Sequence, residues 1–229
     1  MTKKKAIVSW STGKDSAYAY HKALQSGEYD IVGLLTTITE TFERVSMHGT
    51  RESLLDEQAR QLGVPIIKVH IPWPCTNDIY EEKMREAVAE VKTQGVTHMI
   101  FGDLFLEDIR NYREEKMAGT GLNCVFPLWG IDTTELAKEM VASGLRSVLV
   151  CIDPKALDAG YAGRIYDETL LKDFPPHIDP CGENGEFHTA VIAGPMFDSP
   201  INFTLGEVVE RSDFVYADVF LTSVDNSSS

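Results

Sequence analysis

Ser11, Thr12 and Ser16 bring three hydroxyls to the stretch Ser9-Trp10-Ser11-Thr12-Gly13-Lys14-Asp15-Ser16, with Gly13 and Lys14 between them. These residue types suit an anion. Hydroxyls donate hydrogen bonds, glycine allows close backbone approach, and lysine adds a full positive charge. The apolar run Ala6-Ile7-Val8 leads in and a helical pattern from Ala17 to Gln25 leads out, so the stretch falls at a strand-to-helix turn. A helix start leaves N–H groups unpaired and carries partial positive charge, which makes such a turn a cradle for nucleotide phosphates. The same residues also fit an ordinary turn with an N-capping Ser or Asp. It is not a Walker A loop, because Asp15 separates Lys14 from Ser16. An acidic side chain among phosphates calls for a cation, and Mg²⁺ bridging Asp15 and the phosphates is the natural one.

A second concentration is Asp179-Pro180-Cys181-Gly182-Glu183-Asn184-Gly185-Glu186-Phe187-His188-Thr189, just before the apolar Ala190-Val191-Ile192. Glu186 and His188 alternate along an extended chain and are expected to face one side. Such a pair suits orienting a nucleophile, shuttling a proton or binding a metal. The two glutamates suit an incoming amine or ammonium. Glu186→Gln is then expected to keep nucleotide binding and lose product formation. A surface hairpin with a bystander histidine is the alternative. A third group begins at Gly102-Asp103, where Asp103 suits either a ligand contact or a helix cap. At helical spacing Arg110 and Arg113 share a face, with Glu107 three residues before Arg110. The segment reads as a solvated helix with ion pairs, or as two arginines gripping a carboxylate or phosphate.

The elements that must position these residues alternate. Ala6–Val8, Ile31–Thr36, Pro65–Ile71 and Val96–Phe101 read as strands, the second a continuous apolar run of the kind buried in a parallel sheet. Helices fall at Ala17–Gln25, around Leu54–Leu62, and at Ile79–Gln94 behind a cap at Asn77 or Asp78, with Gly27, Gly63 and Gly95 as stops. This β-α-β-α order predicts an α/β fold with a doubly wound parallel sheet. Ligands of such sheets bind beyond the carboxyl ends of the strands. The Ser9–Ser16 loop, the residues after Leu35, and Gly102-Asp103 all fall there. Val125–Trp129 reads as one more strand, with Pro127 disfavouring a central place. Beyond it the texture changes. Asp132-Thr133-Thr134-Glu135 resembles a capping box, Ser147–Ile152 reads as a strand, and Ile201–Leu205 and Phe214–Leu221 read as further strands that suit a hairpin, an interdomain sheet or a dimer edge. The expected division is a nucleotide domain over 1–130, a smaller α+β domain over 131–221, and a disordered tail over 222–229.

The net charge of −14 disfavours a nucleic-acid partner, since the only basic run is Lys3-Lys4-Lys5. No apolar run reaches membrane-spanning length, and the one after the basic start is too short for a signal peptide, so no membrane partner and a cytoplasmic location are expected. Cys75, Cys124, Cys151 and Cys181 are isolated, without a Cys-x-x-Cys pair, and read as small buried hydrophobes.

The first loop resembles the SGGKDS signature of PP-loop ATP pyrophosphatases, which cleave ATP between its α and β phosphates; Thr12 stands where that pattern usually has glycine. The stretch from Gly182 to Thr189 is similar to the GEnGEFHT signature of the diphthine–ammonia ligase family. The resemblance runs nearly end to end, through Ser46-Met47-His48-Gly49, Gly102-Asp103-Leu104 with Arg110 and Arg113, Phe126-Pro127-Leu128-Trp129, Asp179-Pro180-Cys181-Gly182 and Gly194-Pro195-Met196-Phe197. It implies an adenine nucleotide alpha-hydrolase-like domain with a small C-terminal domain, and ATP with Mg²⁺ as cofactors. On the nucleotide side it implies Ser9, Ser11, Thr12, Gly13, Lys14, Asp15, Ser16, Leu34, Thr36, His48, Gly102 and Asp103. On the acceptor side it implies Gly182, Glu183, Glu186, His188 and Thr189, beside Glu107, Arg110 and Arg113. Lys14, Asp15, Glu186 and His188 are then the expected catalytic groups. The implied reaction is amidation: a carboxylate is adenylated with release of pyrophosphate, and ammonia displaces AMP. No glutaminase domain is evident, so free ammonia is the expected nitrogen source. The implied carboxylate is diphthine on elongation factor 2 in archaea and eukaryotes, and a small carboxylate in bacteria. Two other readings stand beside it. One is a PP-loop tRNA-modifying or sulfur-transfer enzyme, disfavoured by acidity and the absent Cys-x-x-Cys. The other is a nucleotide-binding regulator without chemistry.

Overall fold

The computed structural model describes residues 2–42, 44–45 and 49–222. His48 with its neighbours Ser46 and Met47, and the tail from 223 onward, lie outside the described residues. In chain order the elements of the first half are β1 (Lys4–Ser9), α1 (Lys14–Ser26), β2 (Tyr29–Thr39), β3 (Arg44–Val45), α2 (Glu52–Leu62), β4 (Ile66–Ile71), α3 (Asn77–Thr93), β5 (His98–Ile100), α4 (Glu107–Met117) and β6 (Asn123–Val125). Strand β1 pairs in parallel with β2 and β5, β2 with β4, and β5 with β6. The parallel order is therefore β4-β2-β1-β5-β6, and β3 runs antiparallel to the end of β2. Alternation along β1 divides its side chains between two cores. Ala6 and Val8 pack with α1 and α2, whereas Ile7 packs with Val88 and Val91 of α3. Helices thus cover both faces, as the doubly wound reading requires. Chain direction away from β1 reverses between β2 and β5, so the carboxyl ends of β1 and β5 frame the crevice where such sheets hold ligands.

The second half contains α5 (Thr133–Ala142), β7 (Arg146–Ile152), β8 (Ile165–Tyr166), α6 (Glu168–Asp173), β9 (Phe187–Ala193), β10 (Phe203–Arg211) and β11 (Phe214–Leu221). Its sheet is antiparallel: β9 flanks β7 along its length, β8 and β11 share the other edge of β7, and β10 closes a hairpin with β11. The halves share one core. Val8 and Tyr18 of the first pack in the same buried cluster as Leu136, Leu149, Tyr166 and Val191 of the second. The expected boundary near Gly130 lies in the turn between β6 and α5.

Three local expectations need correction. Helix α3 is capped by Thr76, whose hydroxyl accepts from Ile79 N, rather than by Asn77 or Asp78. Strand β6 stops at Val125, and Phe126–Trp129 turn away, with Trp129 N donating to Phe126 O at 3.2 Å. Pro127 has no N–H to offer a ladder there. The last hairpin begins at Phe203 and reaches Arg211, longer than Ile201–Leu205 suggests. Its polar residues lie on an edge strand where neither face needs to be apolar.

One clamp ties the β3 region to the second sheet. Asp218 on β11 accepts from Arg44 Nη1 and Nη2 at 3.2 and 3.0 Å, and from Arg51 Nε and Nη2 at distances of 2.6–3.1 Å. Burial alone would raise the Asp218 carboxyl, but the two guanidiniums outweigh it and hold it below its ordinary value. A lowered carboxylate stabilises the fold above its unfolded pKa of about 3.9 and loses that contribution as pH falls through the folded value. Asp218→Asn should cost about 1–3 kcal/mol near neutral pH. Urea denaturation from pH 3 to 7 should show the gap between wild type and variant closing at the acid end.

Candidate active site

A cavity of about 1190 Å³ opens beyond the carboxyl ends of β1, β2 and β5, roofed by the segment before β9. Its floor is the expected phosphate loop. Trp10 N donates to Leu35 O at 2.8 Å, and the Thr36 hydroxyl donates to Trp10 O, fixing where the chain leaves the sheet. Thr12 takes a left-handed backbone, φ 71°. Ser16 Oγ donates to Gly13 O at 3.0 Å and lies 3.2 Å from Ser11 Oγ, closing the loop on itself. Gly13 is the N-cap of α1 and supplies no side-chain acceptor, so apart from Lys14 N, which donates to Thr189 Oγ1, the cap leaves the backbone donors of the helix start to a ligand.

Gly102 brings the end of β5 against this loop. A Cβ there would sit 2.7 Å from both the Asp15 carbonyl carbon and Ser16 N, and backbone cannot step aside cheaply. Gly102→Ala should force the strand end and the loop apart. We expect a drop in nucleotide affinity of about tenfold or more by calorimetry, with a melting temperature lower by about 2–4 °C.

Lys14 is the best-held group of the site. It is 2% exposed, and its ammonium donates to Asp15 Oδ1 and Oδ2 at 3.0 and 2.9 Å and to the Cys181 carbonyl. The Tyr166 and Phe187 rings lie 5.6 and 5.3 Å from the same nitrogen. Burial works against its charge, but Asp15, together with Cys181 and Glu183, outweighs this and raises the lysine. Lys14 N, meanwhile, donates to Thr189 Oγ1 at 3.1 Å. One residue therefore ties the phosphate loop to both ends of the Cys181–Thr189 segment. Leu104 N adds a further tie, donating to Glu183 Oε1 at 2.9 Å. Burial pushes the Glu183 carboxyl up to about 7, with Asp15 and Asp103 pushing the same way and the Leu104 amide and Lys14 opposing. Asp103 is also raised by burial, against the pull of Arg113, whose Nε lies 3.5 Å from its carboxylate.

Most of the expected residues meet at this cavity. Ser9, Ser11, Lys14, Asp15, Ser16 and Thr36 line it from the side of β1, α1 and β2. Gly102, Asp103 and Arg113 line it from the β5–α4 side, and Gly182, Glu183, His188 and Thr189 from the roof. The others do not line it. The Thr12 side chain turns inward to Thr50, 3.0 Å between hydroxyls. Gly13 serves as the cap. Leu34 is fully buried in the sheet, and its neighbour Leu35 faces the cavity instead. Glu107 is exposed. Arg110 does not act with Arg113: it pairs with Glu114 at 2.9 Å and stacks on Phe126 and Trp129. Their aromatic supports adjoin, since Phe101 under Arg113 stacks on Phe126 with 5.5 Å between centroids, but Arg113 turns to Asp103 while Arg110 turns to Glu114. Glu186 does not share the face of His188. It precedes β9, inside the turn, and its Oε1 accepts from Asp179 N and Asn184 Nδ2, both at 3.1 Å. Alternation applies to extended chain, and the segment becomes extended only at Phe187.

Two residues that hold the loop from behind, outside the cavity lining, carry no such role in the sequence reading. Gln58, 0% exposed, bonds Trp10, Thr12 and Val191, and Thr50 meets Thr12. A glutamine in the middle of an amphipathic helix gives no signal of such a role. Among the described residues no group of three or more His, Cys, Asp or Glu side chains is placed to hold a metal, and no helix is long and apolar enough to cross a membrane.

A doubly wound α/β sheet that carries a strand–loop–helix turn at its switch point is the class that this fold and site define. The diphthamide synthase N-terminal domain matches residues 4–123 and its C-terminal domain residues 132–219. The chain belongs to the diphthamide synthase family. Among curated relatives, a diphthine–ammonia ligase of Danio rerio is 25% identical over 91% of this chain and 90% of its own length. The Homo sapiens one is 23% identical over 91% of this chain and 86% of its own. The Schizosaccharomyces pombe one is 38% identical over 40% of this chain, and that match spans only 16% of the relative. A Methanocaldococcus jannaschii chain described as a predicted subunit of tRNA methyltransferase superposes with a TM-score of 0.42 and 16% identity, over 86% of this chain and 100% of that one. At that score the likeness carries no argument.

Proposed function

We propose that this chain is a cytoplasmic ATP-dependent ligase that activates a carboxylate as its adenylate, releasing pyrophosphate, and passes it to ammonia with release of AMP. The observation that carries the reading is the pairing of two loops at one cavity. The phosphate loop and the Cys181–Thr189 segment are joined through both the backbone and the ammonium of Lys14. A nucleotide and an acceptor held there meet without a further domain movement. The relatives' names, diphthine–ammonia ligase, support the same reaction class.

In this reading the amides at the start of α1, with Ser11 and Ser16, bind the triphosphate, and charge neutralisation does most of the chemistry. Lys14 holds the two loops in register and adds positive charge from behind the loop. Mg²⁺ would enter with the nucleotide. Asp15 is the carboxylate to meet it, although both its oxygens now accept from Lys14, so phosphate oxygens must supply most of the coordination. When bound, the ion neutralises the leaving pyrophosphate. Glu183 and His188 face the acceptor, Arg113 the carboxylate, and the roof excludes water from the activated acyl group. The acceptor is diphthine on elongation factor 2 in an archaeal or eukaryotic setting and a small carboxylate in a bacterial one. Among the described residues β10 pairs only with β11, and Leu205 and Val208 are exposed on it, which suits a second copy of the chain at that edge.

Phosphorus NMR of the protein with MgATP, ammonium and a small-molecule cell extract tests the reading. AMP and pyrophosphate, absent with Lys14→Ala, are expected. ADP and phosphate would refute α-phosphate chemistry.

A further inference from the structure

Thr12 stands in the left-handed region, φ 71°, which a β-branched residue enters only under constraint. Three residues distant in sequence supply that constraint. Thr50 meets its hydroxyl at 3.0 Å. Val191 N of β9 donates to its carbonyl at 2.9 Å. Gln58 Nε2 of α2 donates to the same carbonyl at 3.0 Å. Gln58 is wholly buried, and the rest of its amide is committed too: Nε2 donates to Val191 O at 2.8 Å and Oε1 accepts from Trp10 Nε1 at 2.8 Å. The amide therefore bridges the residue before the loop, the loop itself and the second sheet. It does not border the cavity.

We propose that Gln58 is a positioning residue for the nucleotide, clamping the Thr12 carbonyl to β9 so that the loop keeps its left-handed turn and α1 starts facing the cavity. The proposal rests on the nucleotide reading above. It explains how a threonine is tolerated at a position that needs a glycine-like backbone: hydrogen bonds from two other elements impose what glycine would adopt unaided.

The test is a double-mutant cycle read by calorimetric titration with Mg²⁺ and α,β-methylene-ATP, an analogue that the proposed reaction cannot cleave. Gln58→Met should weaken binding by about tenfold or more in the native background. In a Thr12→Gly background the same substitution should weaken it by less than about threefold, because glycine holds the turn without help. A purely structural glutamine would lower the melting temperature equally in both backgrounds and leave affinity alone; that result, or the same loss of affinity in both backgrounds, overturns the proposal. Should Gln58→Met not fold, Gln58→Asn, one methylene too short to reach, takes its place. Amide exchange of residues 11–16 in the ligand-free protein reads the clamp without any nucleotide, and should quicken by about tenfold in the Gln58 variant. Unchanged exchange overturns the clamp. Failure of the wild type to bind the analogue, with exchange quickened as expected, overturns the nucleotide reading instead.

Discussion

Lys14→Met should lower the stability of the protein by about 3–5 kcal/mol and, on the reaction proposed above, abolish formation of AMP, because it removes one partner of a buried pair and leaves the other without compensation. The ammonium now serves Asp15 and the Cys181 carbonyl at once. Methionine fills the space between the Tyr166 and Phe187 rings but donates nothing, so the Asp15 carboxylate loses its counter-ion and Cys181 O loses its donor. With domain stability of about 5–15 kcal/mol, a loss of this size is a third or more of the total. Packing is not the cause, since the volume change is small. The second substitution Asp15→Asn removes the orphaned charge and should restore about half of the lost stability, but not turnover. Guanidinium melts of the wild type, the single variant and the double variant decide this. A Lys14→Met midpoint within the error of wild type would mean that the ammonium is not holding the two loops together.

Much of the fold lay open to reading because its signals are local. The runs Ala6–Val8 and Ile31–Thr36 are apolar without alternation, as strands buried on both faces must be, and Gly27 and Gly63 do end helices in left-handed conformations. Once those strands are placed, the parallel-sheet rule brings the phosphate loop and Gly102-Asp103 to one end. What stayed hidden depends on partners distant in sequence. Nothing near Gln58 announces that it will meet Val191, and nothing near Arg110 announces Phe126 and Trp129. The spacing of Glu186 and His188 implies a shared face only if the chain is extended at Glu186, one residue before β9 begins; the turn from Asp179 instead folds its carboxylate back onto Asp179 N. That inward position also alters what to expect of it. Glu186→Gln keeps an acceptor for Asp179 N, so the larger chemical effect moves to the other glutamate.

On the same proposed reaction, Glu183→Gln should tighten nucleotide binding a few-fold and reduce ammonium-dependent product formation by about 10²-fold or more. Glu183 faces the cavity beside Asp15 and Asp103, where a third negative charge opposes a triphosphate. Removing it eases that repulsion while keeping an oxygen for the Leu104 amide. The acid–base capacity is lost, however. A carboxyl raised to about 7 by burial is poised to take a proton from ammonium near neutral pH, and an amide cannot. The same shift has a consequence for stability with a definite sign. The folded pKa lies above the unfolded one, so the folded state binds more protons over the intervening range. Its contribution to stability is complete below about pH 4 and is lost as pH rises through 7. Discounted for partial exposure, the loss is about 1–2 kcal/mol. Thermal melts across pH 4 to 8 should therefore show the wild type falling relative to Glu183→Gln, with the two nearest each other at pH 4. Parallel curves would show that the carboxyl titrates normally and deny it the proton-accepting role. A diverging pair with unchanged ammonium dependence would leave the shifted carboxyl in place and assign the proton to another group, of which His188 on the same wall is the first to test.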